Sequence, residues 1–276
     1  MRISQGSLAK LKKTGTSQIY PTTCYLMIGS RCKNNCLFCA QSVSEDKLSR
    51  ISWLKVDNEI ITEINNSYFK RVCLQCTSTG ISEVISIAKK INKPLSISYN
   101  FKNIKEVDTV AKFADNICIS LDVVNKTLFR KYKNNGFEER LKLIKTSVKK
   151  YKNISTHIIV GLGETKAEMI NIIKKLHFWN VTIGLFAFTP IEKSVLQNHP
   201  RPDIRYYRTI QAFYYKLKTG NIRPEAFQTS GCMDCNRPYY NEQASGPIYN
   251  YPRKLSEAEY KTCIEQIIPE NEMETD

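Results

Sequence analysis

Short runs rich in β-branched and aromatic residues alternate along this chain with longer stretches that carry apolar residues at helical spacing. The short runs predict strands at residues 24–28, 71–76, 95–99, 117–121, 156–160, 183–188 and 226–229. The longer stretches predict helices over a parallel sheet at residues 56–69, 83–91, 137–151 and 168–179. This alternation is typical of repeated βα units. We therefore expect an α/β fold, a full or nearly full TIM-like (βα) barrel over residues 1–230.

The segment 231–276 differs in composition from the predicted barrel. It combines prolines and glycines with tyrosines that include Tyr239, Tyr240, Tyr249 and Tyr251. We expect a C-terminal, cysteine-containing loop extension that packs on the barrel. Near its end, Ser256 is followed three residues later by Glu259, a capping-box pattern that predicts the start of a last helix.

Composition narrows the class of protein. No apolar run approaches the roughly 18 residues that span a bilayer, and the basic start of the chain lacks the apolar core of a secretory signal. We therefore expect a soluble, cytoplasmic protein without a membrane partner. Intracellular thiols are kept reduced, so ten cysteines favour metal ligation over a disulfide framework.

The chain has 41 Lys and Arg against 26 Asp and Glu, a net charge of +15. Such a charge attracts nucleic acid, an acidic protein or an anionic substrate, or it belongs only to a solvated basic surface. Composition alone does not choose among these.

Three cysteines, Cys32, Cys36 and Cys39, follow the first predicted strand with the spacing Cys-x3-Cys-x2-Cys. Barrel enzymes build their active sites at the carboxyl ends of strands, which is where this loop begins. Three thiolates can hold three irons of a cubane cluster and leave the fourth iron open. A structural zinc site needs four protein ligands, and this loop supplies three.

With an aromatic residue before its last cysteine, this loop resembles the signature of radical S-adenosylmethionine (SAM) enzymes. The resemblance implies a radical SAM barrel in which Cys32, Cys36 and Cys39 hold a 4Fe-4S cluster. It implies that SAM chelates the open iron, that an electron from the cluster cleaves SAM to a 5′-deoxyadenosyl radical, and that Phe38 approaches the adenine.

Further segments match the family in order. Residues 158–165, IIVGLGET, are similar to the fifth-strand segment that backs the adenosine in biotin synthase and its relatives. Residues 120–122 end the fourth predicted strand, where relatives place polar groups on the SAM ribose, although a strand-end Asp is also a common turn or cap residue. Residues 77–80, TSTG, stand where many relatives bind the SAM amino group. The resemblance thus implies SAM contacts from Ser78, Thr79, Ser120, Asp122, Ile159, Gly161 and Glu164.

Two Cys-x2-Cys pairs remain, Cys73 with Cys76 and Cys232 with Cys235. Four thiolates suit either a zinc ion or an iron-sulfur cluster. If the extension folds over the barrel, the two pairs meet above the SAM pocket. A zinc clip that holds the extension and a second, auxiliary iron-sulfur cluster both stay open.

The extension sequence, GCMDCNRPYYNEQASGPIYNYPR, resembles the biotin-synthase-like subunits of two-component lipoyl synthases. That resemblance implies sulfur insertion into an octanoyl chain on a carrier such as the glycine cleavage H protein, with an auxiliary cluster as sulfur donor. It implies a second radical SAM subunit and an electron donor, ferredoxin or flavodoxin. An acidic carrier also fits the positive charge.

Alternatives from other classes are a biotin synthase or another radical SAM reaction, such as methylation or rearrangement, and a zinc protein that binds nucleic acid. Biotin synthase is disfavoured because Ser155 stands at its fifth-strand cysteine position and the third predicted strand has no cysteine. The barrel pattern and the cysteine spacing disfavour nucleic-acid binding. Among the other residues, Cys24, Cys118 and Cys263 are expected to be buried apolar side chains. The three histidines form no cluster, and no role is predicted for them.

Overall fold

A single sheet is the centre of the protein in the computed structural model, which describes residues 1–15, 17, 19–242 and 246–269. Within these residues the strands follow the order β3-β4-β1-β2-β5-β6-β7-β8-β9, so the sheet is open, with β3 and β9 at its ends. The strands are β1 (Arg2–Ser4), β2 (Thr23–Ile28), β3 (Lys47–Leu48), β4 (Ile51–Lys55), β5 (Arg71–Cys76), β6 (Leu95–Ser98), β7 (Asn116–Cys118), β8 (Ile154–Val160) and β9 (Thr182–Ala187).

Six neighbouring strands, β2 and β5 to β9, are parallel. They are the first six strands that the apolar runs predict, and their bounds agree with the prediction to within a few residues. Their carboxyl ends lie on one side of the sheet, as the connections of βα units require.

An antiparallel edge that the sequence patterns did not predict precedes the parallel strands. Strand β1 pairs with both β2 and β4, and β3 pairs with β4. Both β1 and β3 are at most three residues long, which is too short for an alternating pattern to show. This edge covers β2, which would otherwise be an open strand.

Helices cover the outer face of the parallel strands. In the described residues they are α1 (Gln5–Lys12), α2 (Ile60–Asn65), α3 (Ile81–Ala88), α4 (Ile104–Val110), α5 (Lys126–Lys133), α6 (Phe137–Val148), α7 (Lys166–Phe178), α8 (Ile204–Thr219) and α9 (Glu257–Glu265). Strand β5 shows how the layers meet. Val72 and Leu74 are fully buried in the core that includes Val84 of α3, whereas the alternate residues Cys73 and Gln75 line a cavity on the other face.

The prediction of a last strand at 226–229 is wrong. Residues Pro224–Phe227 form a 3-10 turn, and Gln228 makes only an isolated bridge with Tyr251. Proline at the start of the segment favours the turn, and Phe227 packs in a small second core with Tyr251 and Cys263 rather than in the sheet. The six parallel strands therefore curl without a seventh.

The C-terminal extension lies against the barrel. Asn236 accepts a hydrogen bond from the backbone N–H of Thr22 at 2.9 Å, just before β2. The predicted last helix is confirmed as α9, with the capping box of Ser256 and Glu259. Residues 243–245 and 270–276 of the predicted extension lie outside the described residues. In the part of the chain that the structure describes, no helix has both the length and the apolar character needed to cross a membrane.

Two glycines after β8 offer a matched test of packing. Gly161 and Gly163 both have positive φ, +95° and +98°, but a Cβ on Gly161 would lie 2.8 Å from Pro202 whereas one on Gly163 meets nothing within 4 Å. Gly163→Ala should lower the free energy of unfolding by about 1–2 kcal/mol, the cost of the left-handed backbone. Gly161→Ala should lower it by roughly 2–5 kcal/mol because the clash adds to that cost. Denaturant unfolding measures both, and equal losses would contradict the close approach of Pro202.

Candidate active site

A cavity of about 270 Å³ opens among the side chains at the carboxyl ends of the parallel strands. Both sets of predicted metal ligands line it, although they come from distant parts of the sequence. They are Cys32, Cys36, Cys39, Cys73, Cys76, Cys232 and Cys235. The curled sheet therefore brings the two cysteine sets to one site.

The loop that carries Cys32, Cys36 and Cys39 is fixed by hydrogen bonds to its neighbours. The Lys33 N–H donates to Ser78 Oγ at 2.8 Å, and the Leu37 N–H donates to the carbonyl of Tyr132 at 3.0 Å. Within the loop, the Cys39 N–H donates to the Cys36 carbonyl at 3.0 Å. The loop that carries the three thiols follows β2 in the sequence and is thus held in place by contacts with the end of β5 on one side and α5 on the other.

These thiols are free and lie in a poorly solvated environment. Burial is the main reason that the pKa of Cys36 is raised to about 11 and that of Cys39 to about 12. The thiols of Cys36 and Cys39 are therefore protonated near neutral pH until a metal displaces the proton.

The donor set, three thiols on one loop, suits an iron-sulfur cluster by its chemistry. Within the described residues, no three His, Cys, Asp or Glu side chains are grouped as a single metal ion would require. A cubane cluster takes each thiolate on a different iron, so its ligands need not converge on one point. Cys32, Cys36 and Cys39 would hold such a cluster, with the cavity beside its open iron.

The predicted SAM contacts fall into two groups in the structure. Phe38, Ser120, Asp122 and Ile159 line the cavity. The remaining four, Ser78, Thr79, Gly161 and Glu164, lie behind its walls.

These four residues support the walls through local contacts. Ser78 anchors the cysteine loop, and the Thr79 hydroxyl donates to the Glu83 carboxylate. Glu164 accepts from the N–H groups of Gly161 at 2.7 Å and Leu162 at 2.8 Å, and it accepts from Tyr206 Oη at 3.2 Å. The structure thus shows a bracing contact for Glu164, and its contact with SAM stays a prediction.

Asp122 forms an ion pair that the sequence did not reveal. Its Oδ2 lies 2.6 Å from Lys133 Nζ at the end of α5, and the two side chains are 15% and 12% exposed. Lys133 also donates to the carbonyls of Ser120 and Leu121 at 3.3 Å. With Arg140, which also lines the cavity, Lys133 places positive charge beside the cysteine loop. Sequence reasoning missed both cations because they follow Asp122 on helices, where Lys and Arg are usually solvated.

Three cysteines of the second set, Cys73, Cys232 and Cys235, line one end of the cavity, which we call its floor. Cys235 Sγ is 3.2 Å from Tyr25 Oη, and Cys232 Sγ accepts from Asn116 Nδ2 at 3.3 Å. Burial, followed by the nearby thiols of Cys232 and Cys235, raises the pKa of Cys73 well above its ordinary value. The structure therefore brings Cys73, Cys232 and Cys235 together.

Cys76 has different neighbours. It is three residues after Cys73 on β5, so the alternation of the strand turns it to the opposite face. It packs at the edge of the main core, and the charged group that most affects its thiol is Glu83 of α3. Cys76 reaches the cavity lining but lies apart from the floor cysteines.

His157 is a cavity residue for which the sequence predicted no role. Its Nε2 lies 3.4 Å from Cys118 Sγ and its Nδ1 lies 3.3 Å from Ser120 Oγ. Burial lowers its pKa to about 4, so the ring is neutral near pH 7. The alternation of β8, which places residues 155, 157 and 159 on one face, is the signal that could have located it.

An apolar wall joins the two cysteine sets. Five side chains of this wall are Leu48, Trp53, Phe186, Phe188 and Tyr240. Phe186 packs edge-on against Tyr240, with ring centroids 5.4 Å apart, and the Arg237 guanidinium lies 3.9 Å from the Phe186 centroid. The cavity can therefore receive an aliphatic group between its two ends.

The Asp122–Lys133 pair allows a structural role to be separated from a role in binding SAM. Asp122→Asn should lower the free energy of unfolding by about 2–3 kcal/mol because it leaves Lys133 unpaired, and adding Lys133→Met should recover most of that loss. If the carboxylate also accepts from the ribose, both Asp122 variants should bind SAM roughly tenfold or more weakly. Anaerobic equilibrium dialysis and denaturant unfolding measure the two effects, and unchanged SAM affinity would restrict Asp122 to the ion pair.

Sequence comparisons identify distant relatives. No model of a known protein family matches the chain. The biotin synthase of Methanococcus vannielii is 27% identical over 186 residues, covering 58% of this chain and 53% of the relative. The threonylcarbamoyladenosine tRNA methylthiotransferase MtaB of Thermotoga maritima is 25% identical over 227 residues, covering 73% of this chain and 52% of the relative. The chain thus spans about half the length of the curated relatives it matches.

Solved structures share the fold at low sequence identity. Methylornithine synthase PylB has a TM-score of 0.57 and 14% identity, over 70% of this chain and 62% of that one. HydG, a maturase of the FeFe-hydrogenase, has a TM-score of 0.56 and 11% identity, over 69% of this chain and 48% of that one. These likenesses confirm the predicted TIM-like radical SAM barrel. The chain thus has the fold of these enzymes and is similar in sequence to biotin synthase and MtaB.

Proposed function

We propose that this protein is a radical SAM sulfur-insertion enzyme, a lipoyl synthase subunit that acts on a protein-bound octanoyl chain. The observation that carries the proposal is the shared cavity, which has the three-cysteine loop at one end, the floor cysteines at the other and an apolar wall between them. Sulfur insertion needs this arrangement because radical formation, the target carbon and the sulfur source must be close together.

Cys32, Cys36 and Cys39 would hold the SAM-binding 4Fe-4S cluster, which when bound supplies the electron for reductive SAM cleavage. Around it, Phe38 would contact the adenine and Ile159 would contact the adenosine. Asp122 would accept from the ribose while paired with Lys133. Lys133 and Arg140 line the same region and suit the SAM carboxylate by charge.

The apolar wall would hold the octanoyl chain. Burying a methylene group contributes about 0.8 kcal/mol, so a chain of this length can be positioned without polar contacts. Trp53, Phe186 and Phe188 would also exclude water from the target carbon. A closed, apolar environment suits radical chemistry because it limits side reactions.

The floor cysteines would hold an auxiliary iron-sulfur cluster that donates sulfur. Three of the four predicted ligands, Cys73, Cys232 and Cys235, lie together there, and burial favours an iron-sulfur cluster over free thiolates. The alternative zinc clip would also use these thiols, but it would provide no transferable sulfide.

The charge of the chain supports an acidic carrier as partner. A net charge of +15 would steer an acidic lipoyl-carrier domain, such as the glycine cleavage H protein, towards the cavity. In the same proposal, a second radical SAM subunit completes the pair of sulfur insertions, and ferredoxin or flavodoxin delivers electrons.

A biotin-synthase-like reaction is the second candidate because the chain is 27% identical to a biotin synthase over 58% of its length. Two side chains weigh against it. Ser155, at the fifth-strand cysteine position of biotin synthase, instead accepts a hydrogen bond from Asn116 at 2.9 Å, and Ser96 on β6 accepts one from Arg71 at 2.7 Å. Neither position supplies a thiolate.

The loop cysteines give the first test. Replacing Cys32, Cys36 or Cys39 with Ala should abolish reductive SAM cleavage, because an incomplete thiolate set cannot hold the cluster. Production of 5′-deoxyadenosine under anaerobic, reducing conditions measures this. Cys24→Ala, which removes a fully buried thiol elsewhere, is the matched control and should keep the activity. Undiminished 5′-deoxyadenosine in any loop variant would refute the assignment.

Substrate choice gives the second test. The reconstituted protein, with SAM and a reductant, should thiolate an octanoyl-lysine carrier domain and leave dethiobiotin, the sulfur-free precursor of biotin, unchanged. Mass spectrometry of both substrates detects the added sulfur, and the assay is run with and without the second lipoyl synthase subunit. Thiolation of dethiobiotin alone would establish the biotin-synthase-like alternative.

A further inference from the structure

Cys118 is buried, as predicted, and does not itself line the cavity, but its Sγ lies 3.4 Å from Nε2 of the cavity residue His157. Cys118 is the last residue of β7 and is the register partner of Ser155 on β8. Asn116, two residues earlier on the same face, donates to Cys232 Sγ at 3.3 Å, and Ser155 Oγ lies 4.0 Å from the same sulfur. Cys232 is therefore seated over the β7–β8 pair, next to Cys118.

Contacts with strands β2 and β5 fix the position of the other extension cysteine, Cys235. Tyr25 on β2 is the register partner of Cys73 on β5, and its hydroxyl lies 3.2 Å from Cys235 Sγ. Cys235 is therefore seated over the β2–β5 pair, next to Cys73. Four cysteines, two from strands and two from the extension, thus lie between β5 and β8: three line the cavity, and Cys118 is buried beside them.

Cys76 does not join this group. Its strand neighbours Val72 and Leu74, which point to the same face, are fully buried in the helix-covered core. Cys76 lines the cavity from the end of β5, but bringing its thiol beside Cys73 would require β5 to change its pairing, which the six-residue parallel pairing with β2 opposes.

Two arginines lie close to the floor cysteines: Arg71, two residues before Cys73 on β5, and Arg237, which lines the cavity. Arg71 is buried, and its guanidinium donates to Ser96 Oγ while its Nε has no hydrogen-bond partner. Arg237 donates to the carbonyls of Ser230 at 2.9 Å and Leu185 at 3.3 Å. No carboxylate of the described residues forms an ion pair with either arginine. Buried cations without a counter-charge are costly, so an anionic group is expected between them.

We propose that Cys73, Cys118, Cys232 and Cys235 form the auxiliary iron-sulfur site, with Cys118 rather than Cys76 as the fourth ligand. The inference rests on the proposed function and names the ligands of its auxiliary cluster. A cluster with four thiolate ligands is anionic and supplies the charge that Arg71 and Arg237 lack. His157 and Ser120 lie within 3.4 Å and 3.8 Å of Cys118 Sγ, where hydrogen bonds to sulfur would adjust the reduction potential of the cluster.

The test compares single variants of the otherwise natural chain after anaerobic reconstitution with iron and sulfide. Cys118→Ala and the nearly isosteric Cys118→Ser should each lose about half of the bound iron, one of two clusters, yet keep reductive SAM cleavage. Cys76→Ala and Cys24→Ala, matched removals of a thiol, should keep the natural iron content. Retained SAM cleavage shows that the barrel and the loop cluster are intact in each variant.

The outcomes separate this inference from the function on which it rests. Natural iron content in a Cys118 variant that cleaves SAM, or loss of half the iron in Cys76→Ala, would overturn the proposed ligand set. Neither result would contradict the presence of an auxiliary cluster. A natural chain that binds only one cluster, and loses all of it when Cys32, Cys36 and Cys39 are replaced with Ala, would refute the auxiliary cluster itself.

Discussion

The alternation of side chains along the parallel strands determines what every other part of the protein can do. One face of each strand supplies apolar residues to the core beneath the helices, as Val72 and Leu74 do on β5. The other face does not contribute to that core, and its polar and sulfur-containing side chains line the cavity. The site is therefore built from alternate residues of neighbouring strands, and the helix-covered face provides the stability that holds them in register.

A second constraint is the balance of charge within the cavity. Asp122 and Lys133 neutralise each other near the cysteine loop, whereas Arg71 and Arg237 lie at the floor without a carboxylate partner in the described residues. The two ends of the cavity thus differ in how far their positive charges are balanced by carboxylates. At the loop end one of the two cations, Lys133, has a carboxylate partner, whereas at the floor neither arginine has one among the described residues.

Much of the fold follows from the sequence because βα units have a strong periodic signal. The six parallel strands, the capping box of α9 and the three-cysteine loop were all predicted from local patterns. The strand predicted at 226–229 failed because Pro224 and packing against Tyr251 override a short apolar run. Lys133 and His157 were missed because no local pattern distinguishes a cavity residue from a solvated or buried one. The sequence analysis treated Cys73 and Cys76 as ligands of one site, although strand alternation places residues three apart on opposite faces.

The same alternation bears on what the extension is for. A zinc clip would draw Cys73, Cys76, Cys232 and Cys235 to a single ion, with each sulfur about 2.3 Å from it. Residues three apart on a strand cannot both meet that requirement while the strand keeps its register. A cluster spreads its ligands over several irons and can instead use Cys118 of β7, which lies two strands from β5 in the sheet. The extension then does more than cover the barrel, because Cys232 and Cys235 complete a site whose other two ligands the strands already present.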